Sequence, residues 1–170
     1  MQIINFISGP GAGKSSFACG LFSRLKFRGI NCEYISEYAK DLTYENRHVA
    51  LGNQLHVSST QQYRIHRLKD QVDFAITDSP IILGVAYYNG DNPHFNATLL
   101  HEFNRYNNIN YFIKRVKKYS QHGRFHTEEE AKKIDVFIQE FLNNNNIAYT
   151  TIPGIESSLD KIVNKILNTQ

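Results

Sequence analysis

The chain has 170 residues, of which 41% are hydrophobic, 12% aromatic and 21% charged. This length predicts one domain, and the composition is that of a globular protein rather than a disordered chain. The formal net charge of +3 is compatible with an anionic substrate, but it is too small to indicate nucleic-acid binding by itself.

Neither a membrane partner nor an export route is predicted. No apolar run approaches the roughly 18 residues that a membrane span needs. The N-terminus lacks the basic and apolar segments of a secretory signal. Cys19 and Cys32 have no metal-ligand spacing and form no disulfide framework. We therefore expect a cytoplasmic protein (in the host cytoplasm if it is encoded by a phage), and the oligomeric state is left open.

Short apolar runs alternate with helical patterns along the whole chain. Strands are predicted at 2–7, 32–36, 73–77, 110–114 and 147–152. Helices are predicted at 14–28, 37–51, 54–72, 95–106, 127–143 and 157–167. This alternation predicts an α/β fold of three layers, in which a five-stranded parallel sheet has helices on both faces, with residues 1–170 in a single domain.

The segment SGPGAGKSS follows the first predicted strand and opens the first predicted helix, where a phosphate-binding loop belongs. The signature is G-x-x-x-x-G-K-[ST], and Gly13, Lys14 and Ser15 supply its second half. Ser8 stands in place of the first Gly, which we expect to be tolerated because Ser accepts many turn geometries.

This loop predicts Mg·ATP as a ligand. Backbone N–H groups and the helix N-terminus would surround the phosphates, Lys14 would reach the β- and γ-phosphates, and Ser15 would bind Mg²⁺. The predicted ATP-binding residues are Gly9, Pro10, Gly11, Ala12, Gly13, Lys14, Ser15 and Ser16.

Two carboxylates follow the second and third predicted strands, at the sheet edge where ligands bind in open α/β folds. Asp78 would hold Mg²⁺ through water or take a proton from an acceptor hydroxyl. Glu37 suits the role of general base. Which of the two is the base stays open, and so do purely local roles in capping a helix or facing solvent.

Basic and amide side chains supply the remaining predicted site residues. A lid-like segment at 115–127 contains Arg115 and Arg124, which we predict to be catalytic because guanidinium groups contact phosphate at two points. Gln61, Arg64 and Arg67 are predicted to bind the acceptor, and the two arginines would serve a phosphate-bearing acceptor. The alternative for both sets is an ordinary solvated surface.

Four stretches resemble small phage and bacterial P-loop kinases, a group that includes nucleoside and nucleotide kinases. They are SGPGAGKSS, SEYAKD after the second strand, TDSP after the third, and GRFHTEEEAKKID. The resemblance implies sheet order 2-3-1-4-5, Mg·ATP as donor and a lid that closes on it. It also implies that Asp78 acts at the acceptor and that the lid arginines clamp phosphate. Ser79 departs from many nucleoside kinases, which have Arg there.

Within this group the lid pattern is most similar to phage kinases that phosphorylate 5-hydroxymethyluracil in DNA. The favoured hypothesis is therefore an ATP-dependent kinase acting on a hydroxyl of a nucleoside-type acceptor, with that modified base as the most specific candidate. One alternative is a kinase of free nucleosides or nucleoside monophosphates. The other is a P-loop ATPase or nucleotide-sensing module without an acceptor.

Overall fold

The computed structural model describes residues 1–120 and 126–168. Its strands form one parallel sheet in the order β2-β3-β1-β4-β5. They are β1 (Gln2–Ile7), β2 (Cys32–Ile35), β3 (Phe74–Thr77), β4 (Asn107–Lys114) and β5 (Thr150–Pro153). The predicted α/β fold and the strand order are both confirmed.

Helices cover both faces of this sheet. They are α1 (Lys14–Lys26), α2 (Tyr38–Tyr44), α3 (His48–Gly52), α4 (Gln54–His66), α5 (Phe95–Asn104), α6 (Glu128–Asn144) and α7 (Ser157–Leu167), with a 3-10 helix at Ile81–Ala86. No helix within the described ranges is both long and apolar enough to cross a lipid bilayer.

The two faces bury separate cores because side chains alternate along β1. Ile4 and Phe6 pack with α1 and α7, whereas Ile3 and Ile7 pack with α4, α5, α6 and the 3-10 helix. Both faces of the central strand β1 are therefore buried, and the carboxyl end of β1 leads directly into the P-loop.

Local backbone conformation ends several helices earlier than the sequence pattern predicted. The predicted helix at 37–51 is two helices, α2 and α3, because Asn46 adopts a left-handed conformation with φ of 58°. The predicted helix at 54–72 stops at His66, and the chain then turns through Asp70 with φ of 63°. Asn and Asp tolerate this conformation better than most residues, so they interrupt a favourable helical pattern at little cost.

A chain of asparagine side chains joins β1 to β4 within the sheet. The Asn5 amide, only 1% exposed, donates to Asn108 Oδ1 and to Asn110 Oδ1, both at 2.9 Å. The Asn110 amide donates in turn to the Ala148 carbonyl oxygen at 3.0 Å, just before β5. These bonds explain why β4 begins at Asn107, where the polar sequence had predicted a connection.

Candidate active site

The P-loop turns sharply between β1 and α1. Gly11 and Gly13 have φ of 77° and 104°, in the region that a Cβ atom disfavours. The Lys14 ammonium donates to the carbonyl oxygens of Ser8, at 2.9 Å, and Gly9, at 3.0 Å. The side chain of Lys14 thus crosses the loop and holds its two ends together.

Ser8, which replaces the usual first Gly, is fully buried at the end of β1. It does not have a positive φ, so its side chain causes no backbone strain. Its hydroxyl has no hydrogen-bond partner in the described part of the chain. The serine is therefore compatible with the loop, and one buried polar atom remains beside the phosphate position.

Carboxylates from three elements surround Lys14. Burial lowers the pKa of Lys14, and the negative charges of Glu37, Asp78 and Asp135 oppose this shift. Burial also raises the pKa of Glu37, where the Lys14 ammonium acts in the opposite direction. The predicted pair, Glu37 and Asp78, therefore shares one electrostatic environment with the P-loop lysine.

Asp78 lies at the end of β3 and is 1% exposed. Its Oδ2 accepts a hydrogen bond from the Tyr34 hydroxyl at 3.0 Å, while Oδ1 has no partner among residues 1–120 and 126–168. Burial, followed by the Asp78 charge, raises the pKa of Tyr34, so this hydroxyl stays protonated and donates. An unpaired, buried carboxylate oxygen whose charge acts on Lys14, the residue before Ser15, fits a site for hydrated Mg²⁺.

Helix α4 stabilises the turn that carries Glu37. Gln61 accepts from the Tyr38 N–H at 3.0 Å and donates to the Ser36 carbonyl oxygen at 3.2 Å. Arg64 donates to the same Ser36 oxygen at 3.2 Å and pairs with Asp41 at 2.6 Å. The structure therefore brings Gln61 and Arg64 close to the site, with their polar groups bonded to this turn.

Arg115 follows β4 and lies against the P-loop. It donates to the Pro10 carbonyl oxygen at 2.8 Å and pairs with Asp135 of α6 at 2.9 Å. The other Asp135 oxygen accepts the backbone N–H of Gly9 at 2.5 Å. The structure thus joins the first half of the loop, the end of β4 and α6 in one polar cluster.

A family model described as an AAA domain matches residues 3–158, which is most of the chain. The protein belongs to this family of AAA domains. No curated protein matches the chain. Among solved structures, this chain is similar to deoxyadenosine kinase from M. mycoides with bound dATP, with a TM-score of 0.55. The sequences are 16% identical, and the match covers 99% of this chain and 98% of that chain, so it shows the fold alone.

Two predicted site residues of this AAA domain are not placed at the P-loop. Arg67 is exposed at the end of α4, about 9 Å along the helix axis beyond Gln61. The chain from there leads to the amino end of β3, the opposite edge of the sheet from the P-loop. The structure therefore does not bring Arg67 to the P-loop, and its role in binding the acceptor stays a prediction. Arg124 lies outside the described residues, as does the segment 121–125 of the predicted lid.

Two further residues of the AAA domain interact with the charged groups around Lys14 and were not predicted as site residues. Asp135 is one. The other is Tyr87, which follows the 3-10 helix and has its ring centroid 5.8 Å from that of His126. Burial raises the pKa of Tyr87, and the charges of Glu37 and Asp135 raise it further. Its hydroxyl is therefore a neutral donor near two carboxylates. The only sequence signal was its position after the strand that ends in Asp78.

Proposed function

We propose that this AAA domain is an ATP-dependent kinase that transfers the γ-phosphoryl group to a hydroxyl of a nucleoside-type acceptor. The observation that carries the proposal is that Glu37 and Asp78 follow β2 and β3 at the sheet edge where β1 leads into the P-loop, and that their charges act on Lys14. Phosphoryl transfer needs a positioned donor, charge neutralisation and a group that accepts the hydroxyl proton. These three residues supply those functions from three neighbouring elements.

In this proposal Lys14 binds the β- and γ-phosphates, and Ser15 together with Asp78 would hold Mg²⁺. The ion, when bound, neutralises charge on the phosphate oxygens. The acceptor hydroxyl forms a bond to the γ-phosphorus, the bond between that phosphorus and the β–γ bridging oxygen breaks, and ADP leaves. Glu37 accepts the proton of the acceptor hydroxyl. Its raised pKa makes the ionised carboxylate a stronger base than an exposed glutamate.

The acceptor class rests on two similarities. A solved structure with the same fold is a deoxyadenosine kinase, which supports a nucleoside-type acceptor. The resemblance of the lid segment to phage DNA-modification kinases makes 5-hydroxymethyluracil in DNA the most specific candidate. A phosphate-bearing acceptor is less well supported, because Arg64 is paired with Asp41 and Arg67 lies away from the site.

The test is transfer of label from γ-labelled ATP with Mg²⁺ to a panel of acceptors. The panel contains free nucleosides, nucleoside monophosphates, unmodified DNA and DNA containing 5-hydroxymethyluracil, and Lys14→Ala is the inactive control. Label on the modified DNA alone identifies a DNA-modification kinase, and label on a nucleoside identifies a metabolic kinase. ATP hydrolysis that no acceptor changes would contradict the proposal and indicate an ATPase or nucleotide-sensing module.

A further inference from the structure

We propose that Asp135 is a positioning residue, which holds Arg115 and the first half of the P-loop in the conformation that binds ATP. The inference rests on the proposed function, since it concerns the same ATP site. Asp135 lies in the middle of α6, an element that carries none of the P-loop, Glu37 or Asp78.

The contacts of Asp135 form a closed ring. One carboxylate oxygen accepts the Gly9 N–H at 2.5 Å, and the other accepts from Arg115 Nη2 at 2.9 Å. Arg115 Nη1 donates to the carbonyl oxygen of Pro10 at 2.8 Å, which returns the ring to the loop. Removing the Asp135 charge therefore weakens two connections between the loop and its surroundings at once.

Burial makes this ion pair a strong constraint on geometry. The side chains of Arg115 and Asp135 are 9% and 16% exposed. A buried guanidinium without its carboxylate partner is strongly unfavourable, so it moves toward water or another anion. Arg115 Nε already lacks a hydrogen-bond partner within the described ranges, and Asp135 is the residue that balances its charge.

Steric contact reinforces the same arrangement. A Cβ atom on Gly9 would lie 2.7 Å from the Ala131 carbonyl oxygen and 2.9 Å from Asp135 Oδ1. A Cβ atom on Gly11 would lie 2.7 Å from the ring of Tyr119. The first half of the loop is thus enclosed between α6 and the segment after β4. Because these contacts come from the protein itself, they reduce the ordering cost that ATP binding would otherwise carry.

The test compares binding of a non-hydrolysable ATP analogue with Mg²⁺, measured by calorimetry, in wild type and Asp135→Asn. Asparagine keeps an acceptor for the Gly9 N–H but removes the charge that holds Arg115. We expect the Kd for the analogue and the KM for ATP to rise about tenfold, since ordering freed side chains costs affinity. The KM for the acceptor should stay within twofold of wild type. A purely structural role would lower thermal stability without this separation of the two KM values.

Two further variants sharpen the test. Glu33→Gln on β2 breaks an exposed ion pair with Lys26, at 3.0 Å, and should leave the Kd unchanged. Asp135→Asn combined with Arg115→Gln leaves no unpaired buried charge, so it tests the idea even if the single variant unfolds. If Asp135 acts through Arg115, the double variant binds the analogue no more weakly than Arg115→Gln alone.

An analogue Kd within twofold of wild type for Asp135→Asn, tighter binding, or additive losses in the double variant would each overturn the inference. Failure of the wild type to bind the analogue would instead contradict the proposed function. The two failures are therefore distinguishable in one set of titrations.

Discussion

At the scale of single residues, Glu37 and Lys14 carry opposite charges into one partly buried cleft. Burial raises the pKa of Glu37 and lowers the pKa of Lys14, so it disfavours the charged form of both. Each charge partly offsets the desolvation of the other. Replacing either residue therefore changes both the reaction rate and the stability. For Glu37 these changes have opposite signs, because the rate should fall while the stability rises relative to wild type at higher pH.

Glu37→Gln should lower kcat by about 10²–10⁴-fold, because it removes the proposed proton acceptor. It should also change stability as a function of pH. Since the folded-state pKa of Glu37 is raised, its favourable contribution is complete below the unfolded-state pKa and is lost as pH rises through the folded-state pKa. In thermal unfolding from pH 4 to 8, the stability of the Gln variant relative to wild type should therefore increase as the pH rises. A stability difference that does not vary with pH would contradict the assignment.

Lys14→Ala should lower phosphoryl transfer by about 10²–10³-fold, the loss expected when one charge-stabilising donor is removed. The variant also loses the two hydrogen bonds that close the loop over Ser8 and Gly9. Steady-state kinetics with saturating ATP check the effect. Lys26→Ala is the matched control at the other end of α1, because Lys26 forms an exposed ion pair with Glu33. Equal losses in both variants would show that the effect is not specific to the loop.

At the scale of elements, the start of α6 is fixed by a capping box. The Thr127 side chain accepts from the Glu130 N–H at 3.3 Å, and the Glu130 carboxylate accepts from the Thr127 N–H at 2.7 Å. This box sets where the helix begins, and so which turn of the helix presents Asp135 to the P-loop.

Thr127→Ala should lower the free energy of unfolding by about 1 kcal/mol, because it leaves a helical N–H without its cap. Urea unfolding measures this change. Thr98→Ala in α5 is a suitable control, since the Thr98 hydroxyl donates within its helix to the His94 carbonyl oxygen and caps no N–H. If Thr127→Ala were as stable as wild type, the box would contribute nothing to stability.

Local sequence was sufficient for the order of strands and helices and for the residues at strand ends, but not for the bounds of every helix. The β1–loop–α1 unit and the positions of Glu37 and Asp78 followed from apolar runs that stop at polar residues. The first three residues of β4, 107–109, were missed because this segment looks like a loop until the Asn5 amide on β1 bonds to the side-chain oxygens of Asn108 and Asn110. Such pairing depends on residues about a hundred positions away in the sequence, and local strand propensity carries no information about them.

Asp135 was missed for the same physical reason. On α6 it is one acidic residue of an amphipathic helix, and its role appears only through contact with Gly9, 126 residues earlier. Arg67 shows the converse case. It shares a helix with Gln61 and Arg64, but the length of α4 carries it away from the edge at which those two residues act.

At the scale of the whole molecule, the asparagine chain joins β1 to β4 on the face of the sheet that also carries Ile3 and Ile7. Asn5→Leu removes the amide that donates to Asn108 and Asn110, leaving a partly buried and a buried acceptor unpaired. We expect the free energy of unfolding to fall by about 1–3 kcal/mol for each acceptor left unsatisfied. Asn31→Leu, which removes an exposed bond to the Gln71 carbonyl oxygen, is the control and should be close to neutral. A loss no larger than that of the control, measured by urea unfolding, would contradict the expectation.

The asparagine chain also fixes the register between β1 and β4. It therefore sets the position of Arg115, after β4, relative to the P-loop, after β1, in the proposed ATP site. It aligns Asn5 with Asn110, and the same alignment places Ile7, just before the loop, beside Phe112, shortly before Arg115. A slip of two residues between β1 and β4 would keep every side chain on its own face of the sheet. Yet it would move Arg115 about 6.6 Å along the strand, too far to reach Pro10. Hydrophobic patterning alone does not disfavour such a slip. The hydrogen bonds among Asn5, Asn108 and Asn110 do, because they form only in the correct register.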